Sequence, residues 1–172
     1  MAPMSVGDLD ILRADRSYDG TLVPLLKQYC LDMKVWFPRM NEDFAYPLKK
    51  VWNGGDHVYL AHVAKRPAGF ALVGSAQHYV GDPSTKDMVE FFVTTQLRRQ
   101  GLGRAMAAYL WHQYPTNWLV RVLQTNAPAM RFWAATIADY SRGGYREEVR
   151  SISGDAWSYF TFAPSNQRLE RP

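Results

Sequence analysis

Three arginines and two glycines carry the most specific chemistry in this sequence. Arg98, Arg99 and Arg104 surround Gly101-Leu102-Gly103, just after the apolar run Val89 to Val93. Glycines between a strand and a helical pattern leave backbone N–H groups at the helix start, and such groups bind anions. A pyrophosphate is the natural guest, with the arginines adding positive charge. One carboxylate, Glu90, interrupts the apolar run. On a strand covered on both faces an unpaired carboxylate is expensive, so Glu90 either meets a cation in a structural salt bridge or serves as a general base.

Spacing separates the common phosphate loops. A Walker loop needs Lys-Ser/Thr after its last glycine, where this chain has Arg104-Ala105. A dinucleotide fingerprint needs Gly or Ala three residues past its second glycine, where Met106 stands. The next strand, Trp118 to Leu123, brings no acidic ribose ligand. Arg98-x-x-Gly101-x-Gly103 instead resembles the acetyl-CoA loop of the GNAT superfamily of N-acetyltransferases. One strand later, Asn126-Ala-Pro-Ala129-Met-Arg-Phe132-Trp133 resembles that superfamily's second motif, Asn-x-x-Ala followed by two large residues. Glu-Phe-Phe-Val and the earlier Ala-Gly-Phe-Ala-Leu-Val look like a bacterial branch of predicted acetyltransferases. The likeness is firm over roughly Val89 to Ile137 and rests on the order of elements before that.

The resemblance implies acetyl-CoA as co-substrate, no metal, and transfer to a primary amine by direct attack in a ternary complex. It implies that Arg98, Arg99, Gln100, Gly101, Leu102, Gly103 and Arg104 hold the pyrophosphate. Phe92 and Val93 would pair with pantetheine, and the N–H near Val93 would polarise the thioester carbonyl, a donor typically worth about 10²–10³ in rate. Asn126, Phe132 and Trp133 would complete the cofactor side, and the superfamily often places a base or water-holding carboxylate on the strand of Glu90. One position departs from the pattern. Many members carry a tyrosine seven residues after the motif asparagine to protonate the leaving thiolate, and Trp133, a poor acid, stands there. Tyr140 and Tyr109 are the hydroxyls on offer, and Tyr140 joins Glu90 as a candidate catalytic residue.

Composition sets the outer bounds. The 172 residues fit one domain, 1–172, with flexible ends at about 1–7 and 166–172, and such a chain buries about 70% of its unfolded surface. A hydrophobic content of 47% supports a substantial core. A single cysteine, Cys30, excludes an internal disulfide and suits a reducing compartment; it reads as buried filler. No secretory signal precedes Gly7, and no apolar run is long enough for a membrane span, so a cytoplasmic location is expected. A net charge of +4 favours anionic ligands, while scattered Lys and Arg speak against a nucleic-acid partner. His57, His62, His78 and His112 lack metal-ligand spacing and read as structural. A homodimer is compatible with the sequence, which does not set the oligomeric state.

The elements that must position these residues follow from periodicity and breakers. Leu9 to Arg13 reads as a strand and Tyr18 to Met33 as a helix with Leu22, Leu25, Leu26, Tyr29 and Cys30 on one side, Pro24 limiting its first turn. Trp36 to Trp52 reads as a short helix with irregular flanks. Val58 to Val63 and Ala68 to Gly74 form a hairpin, and Gly81-Asp82-Pro83-Ser84 turns into the central strand. The helix after Gly101 stops at Pro115; Trp118 to Leu123 is a strand and Ala127 to Tyr140 a helix. Tyr145 to Ile152 and Ala156 to Phe162 flank a Gly154-Asp155 hairpin turn. The implied fold is α/β (α+β): a mixed, mostly antiparallel twisted sheet of about seven strands with about four helices, ordered β-α-α-β-β-β-α-β-α-β-β.

In that fold the acceptor enters against Tyr29 to Trp52 and Ser151 to Trp157. Trp36, Phe37 and Phe44, with Glu90, are the expected substrate-binding residues, joined by Tyr46, Asp32, Glu42, Asp43, Asp155 and Trp157. Aromatic walls with a few carboxylates suit a small cationic amine with an apolar body. Two other readings share the fold. One is a non-catalytic acyl-CoA-binding regulatory module, for which the missing tyrosine leaves room. The other is a toxin-type acetyltransferase acting on aminoacyl-tRNA.

Overall fold

The computed structural model describes residues 8–37 and 48–164. Seven strands form one sheet in the order β1-β2-β3-β4-β5-β7-β6, and the chain divides into two compact units, Met1–Gly74 with Glu90–Met106, and Ser75–Val89 with Ala107–Pro172. Strand β4 contributes to both.

The first unit opens with β1 (Leu9–Ala14) and helix α1 (Asp19–Lys34). Pro24 lies inside α1, past its first turn, and the helix continues through it, because the one carbonyl that loses its partner is that of Gly20 near the helix start. Leu22, Leu25, Leu26 and Cys30 form its buried side, as the periodicity predicts. Helix α2 (Leu48–Asn53) is the short helix expected before Trp52, whose indole donates to the Asp19 carboxylate at 2.9 Å. Strands β2 (His57–Val63) and β3 (Arg66–Ser75) make the expected hairpin, antiparallel as are β1 and β2. Its turn is Ala64-Lys65, both at positive φ (48° and 64°), so the strand starts at Arg66 rather than beyond Pro67.

Strand β3 approaches β4 (Lys86–Val93) very closely at one point. A Cβ on Gly69 would stand 2.2 Å from the carbonyl oxygen of Phe92, while the Thr94 N–H donates to the Ala68 carbonyl at 2.9 Å. Only a residue without a side chain fits there, because the obstructing atom is backbone on a buried strand. Gly69→Ala is therefore expected to cost about 1–3 kcal/mol in denaturant unfolding, as overpacking does, and a variant as stable as the parent would show that the strands can part.

The second unit begins with α3 (Gln77–Val80), a single turn not foreseen from the sequence, closed by Gly81 at φ 77°. The expected turn follows, with the Asp82 carboxylate accepting from the Ser84 N–H at 2.9 Å and the Thr85 hydroxyl at 2.7 Å. Helix α4 (Leu102–Gln113), which starts in the first unit, ends before Pro115; β5 (Trp118–Leu123) and α5 (Ala127–Tyr140) have their predicted limits. Strands β6 (Tyr145–Ile152) and β7 (Asp155–Phe162) meet in a hairpin whose turn residues are Ser153 and Gly154, at φ 53° and 86°, rather than Gly154-Asp155. A two-residue turn of this hand needs positive φ at both positions, and Asp155 is already paired with Ile152. The unit's core is aromatic: Trp111 packs tilted against Tyr140 at 4.6 Å and edge-on to Phe162 at 5.0 Å between ring centres. The element order is the expected one with α3 added, making five α-helices among the described residues.

Candidate active site

In the first unit the sheet and α1 set up a carboxylate. Glu90 lies half-buried on β4, and its Oε2 accepts a hydrogen bond from the Tyr29 hydroxyl of α1. The Tyr29 ring is itself fixed, edge-on to Phe70 at 5.7 Å and to Phe92 at 6.0 Å. Two buried phenylalanines thus hold a tyrosine that holds a carboxylate. The pair was not foreseen: Tyr29 reads from periodicity as one more core residue, and its partner is 61 residues away. Cys30 beside it is buried, and burial first, then the nearby Glu90 charge, pushes its thiol up, as suits filler rather than a nucleophile.

The loop after β4 is organised by Arg98. Its Nε donates to the Val93 carbonyl at 2.8 Å, its Nη2 bonds the Asp32 carboxylate of α1, and its guanidinium lies 5.3 Å from the centre of the Phe92 ring. Arg98 thereby fastens the loop to β4 and α1 with the charge expected to meet a phosphate. Asp32, offered by the sequence as an acceptor carboxylate, is the partner of that arginine. The chain then turns through Arg99 at φ 62° and Gly101 at φ 82°, and the Ala105 N–H closes the first bond of α4 on the Gly101 carbonyl at 3.0 Å. Arg99 accepts a left-handed backbone that costs a side-chain-bearing residue roughly 1–2 kcal/mol. The turn leads into a helix starting at Leu102, whose first amides have no partner within the helix. Arg99, Gln100, Gly101 and Arg104 are exposed, while Leu102, Phe92 and Val93 are buried. Parallel pairing of β4 with β5 covers Lys86 to Met88, before the strand reaches Glu90.

Asn126, Phe132, Trp133 and Tyr140 belong to the second unit. Asn126 is the N-cap of α5, its Oδ1 accepting from the Ala129 N–H at 3.1 Å, which leaves the carboxamide NH₂ as its remaining donor. Trp133 is buried beside Trp111, at 6.3 Å between ring centres, and Phe132 is half-buried against it. Tyr140 packs on Trp111, His112 and Phe162, and burial pushes its phenol up. Trp36 and Phe37 follow directly on α1, their N–H groups bonded to the Met33 carbonyl at 3.0 and 2.8 Å, and both are half-buried. Phe44, Glu42, Asp43 and Tyr46 lie outside the described residues, as do the ends expected to be flexible.

A cleft of about 510 Å³ in the second unit is lined by Tyr79, Asp82, Asn117, Trp118, Glu148 and Arg150 among others, and by none of the site residues named above. Two of its lining residues, Asp82 and Thr85, are the hydrogen-bonded pair of the turn before β4. Among the described residues no group of His, Cys, Asp and Glu is placed to hold a metal ion, and no helix is long and apolar enough to cross a membrane.

The fold is shared with several solved proteins. The ribosomal-protein-S18-alanine N-acetyltransferase from Escherichia coli superposes with a TM-score of 0.64 at 13% identity, over 91% of this chain and 94% of its own. An acetyltransferase from Salmonella typhimurium, solved with its cofactor acetyl-CoA, gives 0.64 at 13%, over 91% and 94%. Spermidine N-acetyltransferase from Vibrio cholerae, solved with CoA and spermine, gives 0.65 at 12%, over 92% and 97%. No curated protein matches the sequence. The Acetyltransferase (GNAT) family model, however, matches residues 26–136, from α1 through the turned loop and the Asn126 cap. The chain therefore belongs to the GNAT acetyltransferase family, and is an acyltransferase with acetyl-CoA as its co-substrate.

Proposed function

We propose that the protein transfers the acetyl group to the primary amine of a small-molecule or amino-acid-like acceptor, by direct attack in a ternary complex. The observation carrying this reading is the Tyr29–Glu90 pair, a half-buried carboxylate oriented by a phenol that is itself locked between rings. An alkyl amine with a pKa near 10.4 is about 0.04% neutral at pH 7, so the reaction needs a proton acceptor. Glu90 takes that proton, directly or through one water, and the freed nitrogen lone pair then attacks the thioester carbonyl; the second N–H proton passes to water as the tetrahedral intermediate collapses. The carbon–sulfur bond then breaks and CoA leaves as the thiolate. Tyr140 keeps its proton at neutral pH and is the hydroxyl we assign to that thiolate.

The loop from Arg98 to Arg104 holds the phosphates with backbone amides, and Arg98 acts as its fastener. Phe92 and Val93 present the strand edge that pairs with the pantetheine arm, and the Asn126 NH₂ adds a donor from the start of α5. Trp36 and Phe37 wall the acceptor side, and a cationic amine with an apolar body suits aromatic walls near a carboxylate. Thiol release from acetyl-CoA over a panel of polyamines, aminoglycosides and amino acid amides tests this. Turnover of one such amine is expected, with Trp36→Ala raising its KM severalfold and leaving the KM for acetyl-CoA unchanged. Activity confined to charged tRNA or to protein N-termini would overturn the small-acceptor reading.

A further inference from the structure

Strand β6 ends the sheet, and we infer that it pairs antiparallel with β6 of a second copy of this chain, in the register that places Val149 opposite Val149. Seven of its eight residues are exposed, Val149 by 56% and Ile152 by 41%, and its register with β7 runs unbroken from Tyr145↔Phe162 to Ile152↔Asp155. Free edges are normally blunted by proline, by lysine, by a bulge or by shortness. Tyr-Arg-Glu-Glu-Val-Arg-Ser-Ile has no proline, bulge or lysine; its protection is four charges of both signs, which repel a second edge only in registers that set like charges together.

The turn fixes which backbone groups point outward. Ile152 and Asp155 close a two-residue turn and so form a hydrogen-bonded pair, and such pairs alternate along an antiparallel ladder. Arg146, Glu148 and Arg150 therefore spend their N–H and C=O groups on β7. Glu147, Val149 and Ser151 direct theirs to the open side, where no strand of the described residues lies in the sheet order. A two-fold axis perpendicular to the sheet keeps the faces matched, so only registers pairing odd with odd and even with even residues are allowed.

Charge selects among them. Centring on Glu148 sets Glu148 against itself and Arg146 against Arg150; centring on Glu147 or Arg150 sets like charges face to face at the axis. Centring on Val149 sets the two exposed valines together, Glu147 against Ser151, and Glu148 of each copy against Arg150 of the other. Those last pairs fall at the non-hydrogen-bonded sites, where opposing side chains are closest. Glu148 and Arg150 are already 3.1 Å apart within one strand, with side chains 47% and 38% exposed. Across the axis each gains a second opposite charge, giving a ring of four alternating charges. Centring on Glu147 also faces Arg146 with Glu148 but sets Glu147 against itself, whereas the Val149 register faces no like charges and still pairs every outward group from Glu147 to Ser151.

Sedimentation velocity of the full chain across a concentration series tests the proposal, and a species of twice the chain mass is expected. Val149→Pro removes the central outward N–H without touching the β7 ladder, and Glu148→Arg sets arginine against arginine; both are expected to give folded monomers by circular dichroism. Glu148→Arg combined with Arg150→Glu is expected to restore the dimer. In the otherwise native chain, Val149→Cys should oxidise to a linked dimer because hydrogen-bonded neighbours lie within disulfide reach, whereas Tyr145→Cys, off the axis, should not. Cys30 is buried and does not interfere. A monomer at every concentration, a dimer indifferent to both single substitutions, or equal cross-linking of the two cysteine variants would each overturn this interface, whatever the enzymatic assays show.

Discussion

Glu90→Gln is expected to lower kcat by about 10²–10⁴ at neutral pH, the usual contribution of a positioned acid–base group, with acetyl-CoA affinity nearly unchanged. The amide keeps the size of the side chain and can still accept the Tyr29 hydrogen bond, so the change removes proton acceptance and little else. The deficit should shrink as pH rises, because a growing share of the amine then arrives neutral and needs no acceptor. Stopped assays of kcat from pH 7 to 10, beside a calorimetric titration with CoA, separate the two parameters. Near-native kcat across that range would remove Glu90 from the reaction. Loss of folding alone would make the carboxylate a structural partner of Tyr29. Tyr29→Phe adds a finer check: it should lower kcat less than Glu90→Gln does, since an unoriented base still accepts protons.

Asp87→Ala is expected to destabilise the protein by about 3–5 kcal/mol, the cost of stripping one partner from a buried ion pair. Asp87 is 1% exposed on β4, and Arg121 of β5 grips it with Nη2 at 2.7 Å and Nε at 3.3 Å. Burial works against the Arg121 charge, and the neighbouring carboxylate overrides it, holding the guanidinium in its charged form. The same guanidinium lies 4.2 Å from the centre of the Tyr79 ring, so removing Asp87 leaves a desolvated cation without its carboxylate. For a domain whose whole stability is about 5–15 kcal/mol, that is a large share. Urea unfolding measures it, and a loss below about 1 kcal/mol would show that water reaches Arg121. Replacing both partners by apolar residues of similar size should recover most of the deficit, because a buried pair costs nearly as much to desolvate as it returns.

Both predictions turn on carboxylates of one strand, and the sequence distinguishes them poorly. Glu90 stands out among Val89, Phe91, Phe92 and Val93, yet a cation and a catalytic role were equally plausible partners for it. The described partner is a phenol, contributed by the helix face that periodicity assigns to the core. Asp87 attracts no notice at all in the sequence, since an acidic residue at a strand start reads as part of the preceding turn. Its burial depends on Arg121, two residues beyond its own register neighbour Leu119 on β5.

What the sequence alone determined is what is written locally. The helix start at Leu102 follows from its glycines, the α5 cap from Asn126 and Pro128, the end of α4 from Pro115, and the strands from runs of Val, Leu and aromatic residues. Each depends on neighbours within about one turn or one strand, where side-chain periodicity and backbone restriction act directly. Tertiary structure alone decided who meets whom. Tyr29 reaches Glu90 across 61 residues, Arg98 reaches Asp32 across 66, and Asp87 reaches Arg121 across 34. Gly69 is required by a carbonyl oxygen of another strand, and nothing in its own neighbourhood announces that. A hydrogen bond or a steric limit between distant segments is a property of their packing, and packing leaves no period in the chain.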